Sequence, residues 1–323
     1  MPDAGNAASG RTREDTGTLV AFFALVVIGG SNAVAVRLSN VELPPFWGAA
    51  ARFFLAAAIF WAIVLVRRIA LPRGKALVGA VLYGSLAVGA TYAFGYWGIE
   101  KIQAGLFMVI LSLGPLMTMF FAVAHRLEPF RWMGLAGALI ALAGIAIGVG
   151  PQLGHSVPIP SLLAVVAAAA CTAEGSVVYK LFPGTRPLPT NAVAFTTGAG
   201  ILLLVSLIAG ESRLMPSEPR TIAAFAYLVV VGSVLLFYVY LLVLSRWTAS
   251  ATSYAFLLFP IATIVIAAAV TNERVTLQFL LGSALALVGV WVGTVGPRAK
   301  GLPVAKAPAE ISERCDPPYP GCT

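Results

Sequence analysis

Charged side chains are scarce in this sequence. Only 11% of its 323 residues are Asp, Glu, Lys or Arg, whereas 59% are hydrophobic. An ordinary soluble domain has about 25% charged residues, and a soluble fold cannot hide so much apolar surface in its interior. The composition therefore excludes a soluble globular protein and indicates one whose surface faces lipid.

Groups that could catalyse a reaction or bind a metal are also few. The two histidines, His125 and His155, fall between apolar segments, and the three aspartates, Asp3, Asp15 and Asp316, lie in the tails. An enzyme needs a nucleophile and a base that converge. The sequence also lacks a Gly-rich loop followed by Lys, the motif that would indicate ATP binding. We therefore expect no catalytic residue, no metal site and no cofactor.

Cysteine is too rare for a disulfide framework. Cys171 lies inside an apolar segment, and Cys315 and Cys322 lie in a C-terminal tail that we place in the reducing cytoplasm. The spacing of the tail pair matches no familiar zinc motif. Whether this pair matters is left open.

Long apolar runs are what the sequence has instead. A bilayer core about 30 Å thick needs roughly 20 apolar residues per helix, and these runs lack the alternation of a lipid-facing β-strand. The ten predicted helices cover residues 18–36, 46–66, 76–98, 103–124, 132–149, 161–179, 189–209, 222–244, 249–270 and 275–295. The sequence thus predicts an all-α membrane protein with ten transmembrane helices.

Basic residues between the runs orient the chain. With a cytoplasmic N-terminus, fifteen Lys and Arg residues face the cytoplasm and five face the opposite side. The five are Arg37, Lys101, Arg213, Arg220 and Arg274. This excess follows the positive-inside rule and predicts that both termini are cytoplasmic. It also accounts for the net charge of +8 without nucleic acid as a partner.

The two halves of the chain resemble each other with a period near 145 residues. Glu128 and the helix after it align with Glu273 and the last helix, and Pro115 falls on Pro260 at the same offset. Because five helices per half is an odd number, corresponding helices would cross the membrane in opposite directions. Such inverted halves can alternate between inward-open and outward-open states around a midplane site. Shared membrane composition alone is the alternative explanation.

This repeat sets the predicted domain boundaries. Residues 1–17 form a cytoplasmic tail, 18–149 the first five-helix repeat, 150–160 an outer connecting loop, 161–295 the second repeat and 296–323 a disordered cytoplasmic tail. Pro115 and Pro260 each delete a backbone hydrogen bond in mid-span, which predicts a kink in the fourth and the ninth helix.

Several short motifs follow one another in a characteristic order. They are Gly30-Ser31-Asn32, Leu43-Pro44-Pro45, Ala51-Arg52-Phe53, and the glutamates Glu128 and Glu273, each of which precedes a Gly-rich helix. Together they resemble the EamA-like branch of the drug/metabolite transporter superfamily over nearly the whole chain. The resemblance implies a ten-helix carrier, expected in a bacterial inner membrane, that exports or exchanges amino acids, other small metabolites or drugs.

Two charges lie inside the predicted spans, Arg52 in the second helix and Glu174 in the sixth. A charge at the bilayer centre costs about 2.5–3.5 kcal/mol, so it usually faces a cavity or a partner. Arg52 either binds a substrate carboxylate or holds backbone carbonyls freed by kinked neighbours. Glu174 either takes up and releases a coupling proton, or simply faces water or pairs with Arg52.

Other polar residues fall into three groups. Asn32, Tyr92, Tyr96 and Tyr238 complete the predicted substrate-binding set, although such aromatic rings also form interfacial belts or face lipid. Glu128 and Glu273 each precede a helix N-terminus and are assigned a structural role there. The Gly-x-x-x-Gly pairs in helices five and ten, Gly144 with Gly148 and Gly289 with Gly293, predict close packing against neighbours or against a second subunit in a homodimer.

The function predicted from the sequence is therefore a secondary transporter. It would export or exchange a small-molecule substrate across the lipid bilayer, and it could be coupled to protons. The alternative is a non-transporting integral membrane scaffold or sensor.

Overall fold

The computed structural model describes residues 4–99, 101, 107, 110–149, 158–182, 186–213, 216–271 and 277–295. Among these residues every regular element is helical and no β-strand occurs. Most of the predicted outer loop, together with Glu273, Cys315, Cys322 and the C-terminal tail, lies outside the described residues. The all-α prediction is confirmed for the described part of the chain.

Apart from the helical residues 107, 110 and 111, which precede α4, the described residues form ten helical segments when pieces that continue one another are counted together. In chain order they are α1 Ala4–Ser39, α2 Pro45–Val66, α3 (Lys75–Tyr83, the π-helical Gly84–Ala90 and Thr91–Ile99), α4 Gly114–Ala124, α5 Trp132–Val149, α6 Ile159–Leu181, α7 Pro187–Ile208, α8 (Pro219–Val229, the π-helical Val230–Leu235 and Leu236–Arg246), α9 (Ala249–Ser253 and Ala255–Thr271) and α10 Leu277–Val295. The helix α1 begins well before its predicted start at residue 18.

Six helices are long and apolar enough to cross a membrane. They are Thr16–Val36, Pro45–Val66, Lys75–Gly98, Ile159–Leu181, Pro187–Ile208 and Pro219–Arg246. The described residues contain four shorter apolar helices, Gly114–Ala124, Trp132–Ile147, Ala249–Thr263 and Leu280–Gly293. Large apolar side chains such as Val20, Phe120 and Trp291 are exposed on the outside, and such extensive apolar surface suits lipid rather than water. The chain is a multi-pass helical membrane protein.

The helices α5 and α10 pack along the predicted glycine seam. A Cβ added to Gly137 would lie 2.5 Å from the carbonyl oxygen of Gly289, and one added to Gly144 would lie 2.5 Å from that of Gly282. Residue numbers rise along α5 as they fall along α10, so the two helices are antiparallel. Of the two predicted kinds of neighbour, the structure shows packing within the chain, where small residues let the backbones touch.

The helices α3 and α8 each contain a π-helical stretch in the middle. Gly84, at the start of the stretch in α3, touches the backbone of Ala194 in α7, and Gly232 in α8 faces the Asn32 side chain of α1. A π-helical turn interrupts the regular hydrogen-bond ladder and often marks a functional site. Both stretches lie next to the buried polar groups described below.

The two aligned prolines occupy different local positions. Pro115 stands in the first turn of α4, directly after a turn at residues 112–113, where its missing N–H has no helical partner to lose. Pro260 lies inside the longer piece of α9, and the break in α9 falls earlier, at Tyr254. Pro115 therefore follows a break between helical pieces, and the kink expected at Pro260 stays a prediction.

Candidate substrate-binding site

Arg52 is buried in the middle of the helical bundle. Its side chain is 1% exposed, and it lies two turns into α2, which begins directly after Pro44. Ala49 and Ala56 share its buried face at helical spacing, and these small residues leave room for the guanidinium between them. A fixed positive charge is thus held well inside the predicted bilayer core.

The contacts of Arg52 come from aromatic residues. Its Nη2 donates a hydrogen bond of 3.0 Å to the hydroxyl of Tyr92 in α3. Its guanidinium carbon lies 4.4 Å from the ring centre of Phe53 and 5.2 Å from that of Tyr92, which are cation–π distances. Nε and Nη1 are buried and have no hydrogen-bond partner among the described residues. The alternative role for Arg52 is to bind backbone carbonyls freed by kinked helices, and none of these contacts is to a backbone carbonyl.

The tyrosines Tyr92 and Tyr96 of α3 lie close to this arginine. The ring centres of Tyr92 and Tyr96 are 6.0 Å apart, and Tyr92 meets Phe53 edge to face at 4.8 Å. Tyr96 is buried, and Tyr238 of α8 packs against the same apolar cluster. Four predicted site residues, Arg52, Tyr92, Tyr96 and Tyr238, are therefore gathered around one cluster built by α2, α3, α7 and α8.

Asn32 lies elsewhere, on α1 against the π-helical stretch of α8. Its Oδ1 faces Gly232, is buried and has no hydrogen-bond partner among the described residues. The preceding Ser31 hydroxyl is 2.6 Å from the hydroxyl of Tyr227 in α8. In the described part of the chain no hydrogen bond joins Asn32 to the Arg52 group, so its predicted role in the same site stays a prediction.

Glu174 pairs with His125 rather than with Arg52. Oε1 of Glu174 is 2.8 Å from Nε2 of His125, and the side chains are 24% and 40% exposed respectively. His125 is the C-cap of α4, so the pair joins the end of α4 to α6. Oε2 of Glu174 is buried without a hydrogen-bond partner among the described residues. The structure therefore shows a partly exposed pair of Glu174 with His125 in place of the alternative pairing with Arg52.

Buried hydroxyls near the centre of the bundle extend the polar region. The Ser176 hydroxyl of α6 is 2.6 Å from that of Tyr240 in α8, and the Thr91 hydroxyl of α3 is 3.0 Å from that of Thr172 in α6. These pairs join α3, α6 and α8 at the level of the π-helical stretches. Sequence patterns do not predict these pairs, because isolated Ser, Thr and Tyr residues are common in spanning helices.

Two glutamates clip helix ends together on one face of the molecule. The carboxylate of Glu211, in the α7–α8 loop, accepts hydrogen bonds from the backbone N–H groups of Phe46 (3.1 Å) and Trp47 (2.7 Å) at the start of α2. Glu42, in the α1–α2 loop, accepts from the hydroxyl of Ser217 at 2.6 Å and from the N–H of Glu218 at 3.0 Å, just before α8. The Ser217 hydroxyl and then the Glu218 N–H lower the pKa of Glu42.

Glu128 has the same role, on a different helix from the one predicted. Its Oε1 accepts a hydrogen bond of 3.1 Å from the N–H of Ser250, in the first turn of α9. The helix that follows Glu128 in sequence begins only at Trp132, beyond Pro129. The carboxylate therefore binds the positive end of a neighbouring helix rather than that of its own.

Comparisons with known proteins agree with this architecture. The model of the EamA-like transporter family matches residues 15–149 and 159–294. The chain is 29% identical to an uncharacterized inner membrane transporter, YedA, of Escherichia coli strain K12, over 73% of this chain and 77% of that protein. It is 28% identical to a probable amino-acid metabolite efflux pump of the same strain, over 85% of this chain and 93% of that protein.

A solved crystal structure shares the fold. It superposes with a TM-score of 0.75 at 20% sequence identity and covers 87% of this chain and 97% of that one. At this level of identity the likeness speaks for the arrangement of helices alone.

Proposed function

This chain belongs to the EamA-like transporter family, and from that premise we propose that it is a secondary transporter that exports or exchanges small metabolites, amino acids among them, by alternating access. Its relatives are named as transporters, and one of them as a probable amino-acid metabolite efflux pump. The observation that carries the proposal is the buried Arg52 group. It lies where α2 and α3, from the first half, meet α7 and α8, from the second.

We propose ten membrane-spanning helices in two inverted halves, with residues 18–149 and 161–295 as the repeats. The contacts of the glycine seam support this, because the pair Gly137 with Gly289 becomes Gly282 with Gly144 when the halves are exchanged at the repeat offset. The π-helical stretches support it too, since they occupy the third helix of each half. Each half would then present the same elements to the substrate from opposite directions.

The shorter apolar helices complete this count. The helix α4 has 11 residues and so spans about 16 Å, which is less than the bilayer core. The span predicted from the sequence, residues 103–124, is long enough to cross the core, and the proposed topology uses that span. The helices α5 and α10 have 18 and 19 residues, and each spans nearly the full core.

The proposed orientation places both termini in the cytoplasm of a bacterial cell, with the protein in the inner membrane. Contacts between loops support it. Glu42 accepts a hydrogen bond from the Ser217 hydroxyl, and Glu128 accepts one from the Ser250 N–H. Each of these bonds joins two segments that the proposed topology puts on the same side of the membrane. Exposed arginines such as Arg67, Arg126 and Arg246 would then face the cytoplasm, in line with the positive-inside rule.

We further propose that Glu174 couples transport to protons, with His125 as its partner. The pair lies towards the cytoplasmic ends of α6 and α4 in this topology. The pair is partly exposed, so protons can reach it from water. The Oε2 atom of Glu174 is buried, so a change in the charge of the carboxylate would affect the helices packed around it.

Transport by purified protein tests the proposal. Proteoliposomes are loaded with a mixture of amino acids and other small metabolites, and the species that leave are measured with and without a pH gradient. We expect at least one solute to leave faster than from liposomes without protein. Retention of every solute in both conditions would contradict the proposed function.

A further inference from the structure

We infer that Arg52 and Tyr92 form a subsite for the deprotonated carboxylate of the transported solute. The inference rests on the proposed transport function and names the chemical class of the solute. It starts from a guanidinium that is almost fully buried and has two nitrogen atoms without a hydrogen-bond partner among the described residues.

The free polar groups of Arg52 and Tyr92 are all hydrogen-bond donors. Nη2 of Arg52 carries two hydrogens and gives one to the Tyr92 oxygen, so one edge of the guanidinium keeps a parallel pair of N–H groups. Tyr92 accepts that bond and therefore keeps its own O–H to donate. A carboxylate accepts several such bonds at once. A carboxamide would turn its NH₂ group towards the same donors and leave one of them unmatched.

The single positive charge of Arg52 suits a solute group with one negative charge. Arg52 is the only charged residue of α2, and the charged residues of α3 and α8 stand at or near the helix ends, at Lys75, Arg220 and Arg246. A dianion would therefore find one positive charge in the interior of these helices. One guanidinium with one hydroxyl matches a monocarboxylate, and the surrounding rings of Phe53 and Phe195 strengthen the attraction by excluding water.

The structural alternative makes a different prediction about the solute. If Arg52 served only to hold the fold together, a folded Arg52 variant would keep the wild-type ratio of acid to amide transport rates. That ratio is thus the readout, and because it compares two solutes on the same protein it does not change with the amount of folded protein.

The experiment uses the full-length protein in proteoliposomes, loaded with leucine, phenylalanine and threonine, each compared with its carboxamide. For at least one pair we expect wild-type protein to carry the acid about ten- to a hundredfold faster, the effect of a hydrogen bond to a charged group. Arg52→Gln should bring the ratio close to one, and Tyr92→Phe should lower it by a smaller factor. Arg246→Gln is the matched control, because it removes an exposed arginine that bonds Thr18 at the end of α8, and it should leave the ratio unchanged.

The possible outcomes distinguish a failure of the carboxylate subsite from a failure of the proposed transport function. Equal rates for acid and amide in the wild type would overturn the carboxylate subsite while leaving the transporter intact. A preserved ratio in Arg52→Gln would overturn it as well. Where Arg52→Gln fails to fold, Arg52→Lys and the wild-type ratio decide. If the wild type carries neither acid nor amide of any pair, and no other metabolite, the proposed function itself fails.

Discussion

The α5–α10 seam and the region around Arg52 pack in opposite ways. In the seam, backbones approach through glycines, and their contact involves small residues without charge. Around Arg52, two helices carry π-helical stretches, and a buried cation and several buried hydroxyls stand between aromatic rings. Close backbone packing resists rearrangement, whereas a region with incompletely paired polar groups can gain contacts by binding a solute. From this difference we expect the seam to act as a rigid scaffold and the region around Arg52 to respond to a bound solute.

The largest expected effect is on the stability of the scaffold. Gly144→Leu places a side chain against the backbone of α10 and should lower the free energy of unfolding by about 3 kcal/mol. Gly200→Leu in α7 is the control, because a Cβ there meets no atom within 4 Å. Thermal unfolding in detergent measures both. Equal losses in the two variants would mean that the seam is no more rigid than the rest.

The next effect concerns the working site and should leave stability nearly untouched. Arg52→Lys keeps the charge but loses the planar pair of donors. We expect the half-saturation concentration for a carboxylate solute to rise roughly tenfold, the loss of about one charged hydrogen bond, with a small change in Tm. Titration of flux against substrate concentration measures it. A large fall in Tm without a change in half-saturation would place Arg52 with the scaffold instead.

A third test compares the two intramembrane charges. Glu174 is partly exposed and lies within hydrogen-bond distance of His125, so water can reach the pair, whereas Arg52 is buried. Under the proposed coupling, Glu174→Gln should remove the dependence of flux on pH and leave solute exchange. The same dependence should survive in Glu128→Gln, whose carboxylate caps α9. Unchanged pH dependence in Glu174→Gln would refute the coupling role.

The smallest effect is expected at the exposed Glu42 clip. The lowered pKa of Glu42 means that the folded state favours the ionised carboxylate. Its stabilising contribution is therefore present above the ordinary value of 4.5 and is lost as the pH falls through the lowered pKa. The Tm of Glu42→Gln should lie slightly below that of the wild type at neutral pH and converge with it in acid. A gap that persists in acid would show that hydrogen bonding, not charge, holds the clip.

The sequence predicted the helical, membrane-spanning character of the chain, because apolar length is a local signal. It also singled out Arg52 as an isolated intramembrane charge, and the binding role of Arg52 and the tyrosines stays a prediction. It did not predict the π-helical stretches, since a continuous apolar run reads the same in either helix type. It missed the partner of Glu174, because His125 lies between helices and meets α6 only through the fold. It also assigned Glu128 to the wrong helix N-terminus, for the same reason.

Alternating access depends on the two halves entering the membrane from opposite sides, and cysteine labelling tests this most directly. In a variant whose Cys171, Cys315 and Cys322 are changed to Ser, single cysteines replace Ser156, between α5 and α6, or Thr16, where the apolar part of α1 begins. A membrane-impermeant maleimide added to intact cells should label the cysteine at position 156 at once and that at position 16 only after permeabilisation. Labelling of both from the same side would contradict the inverted arrangement.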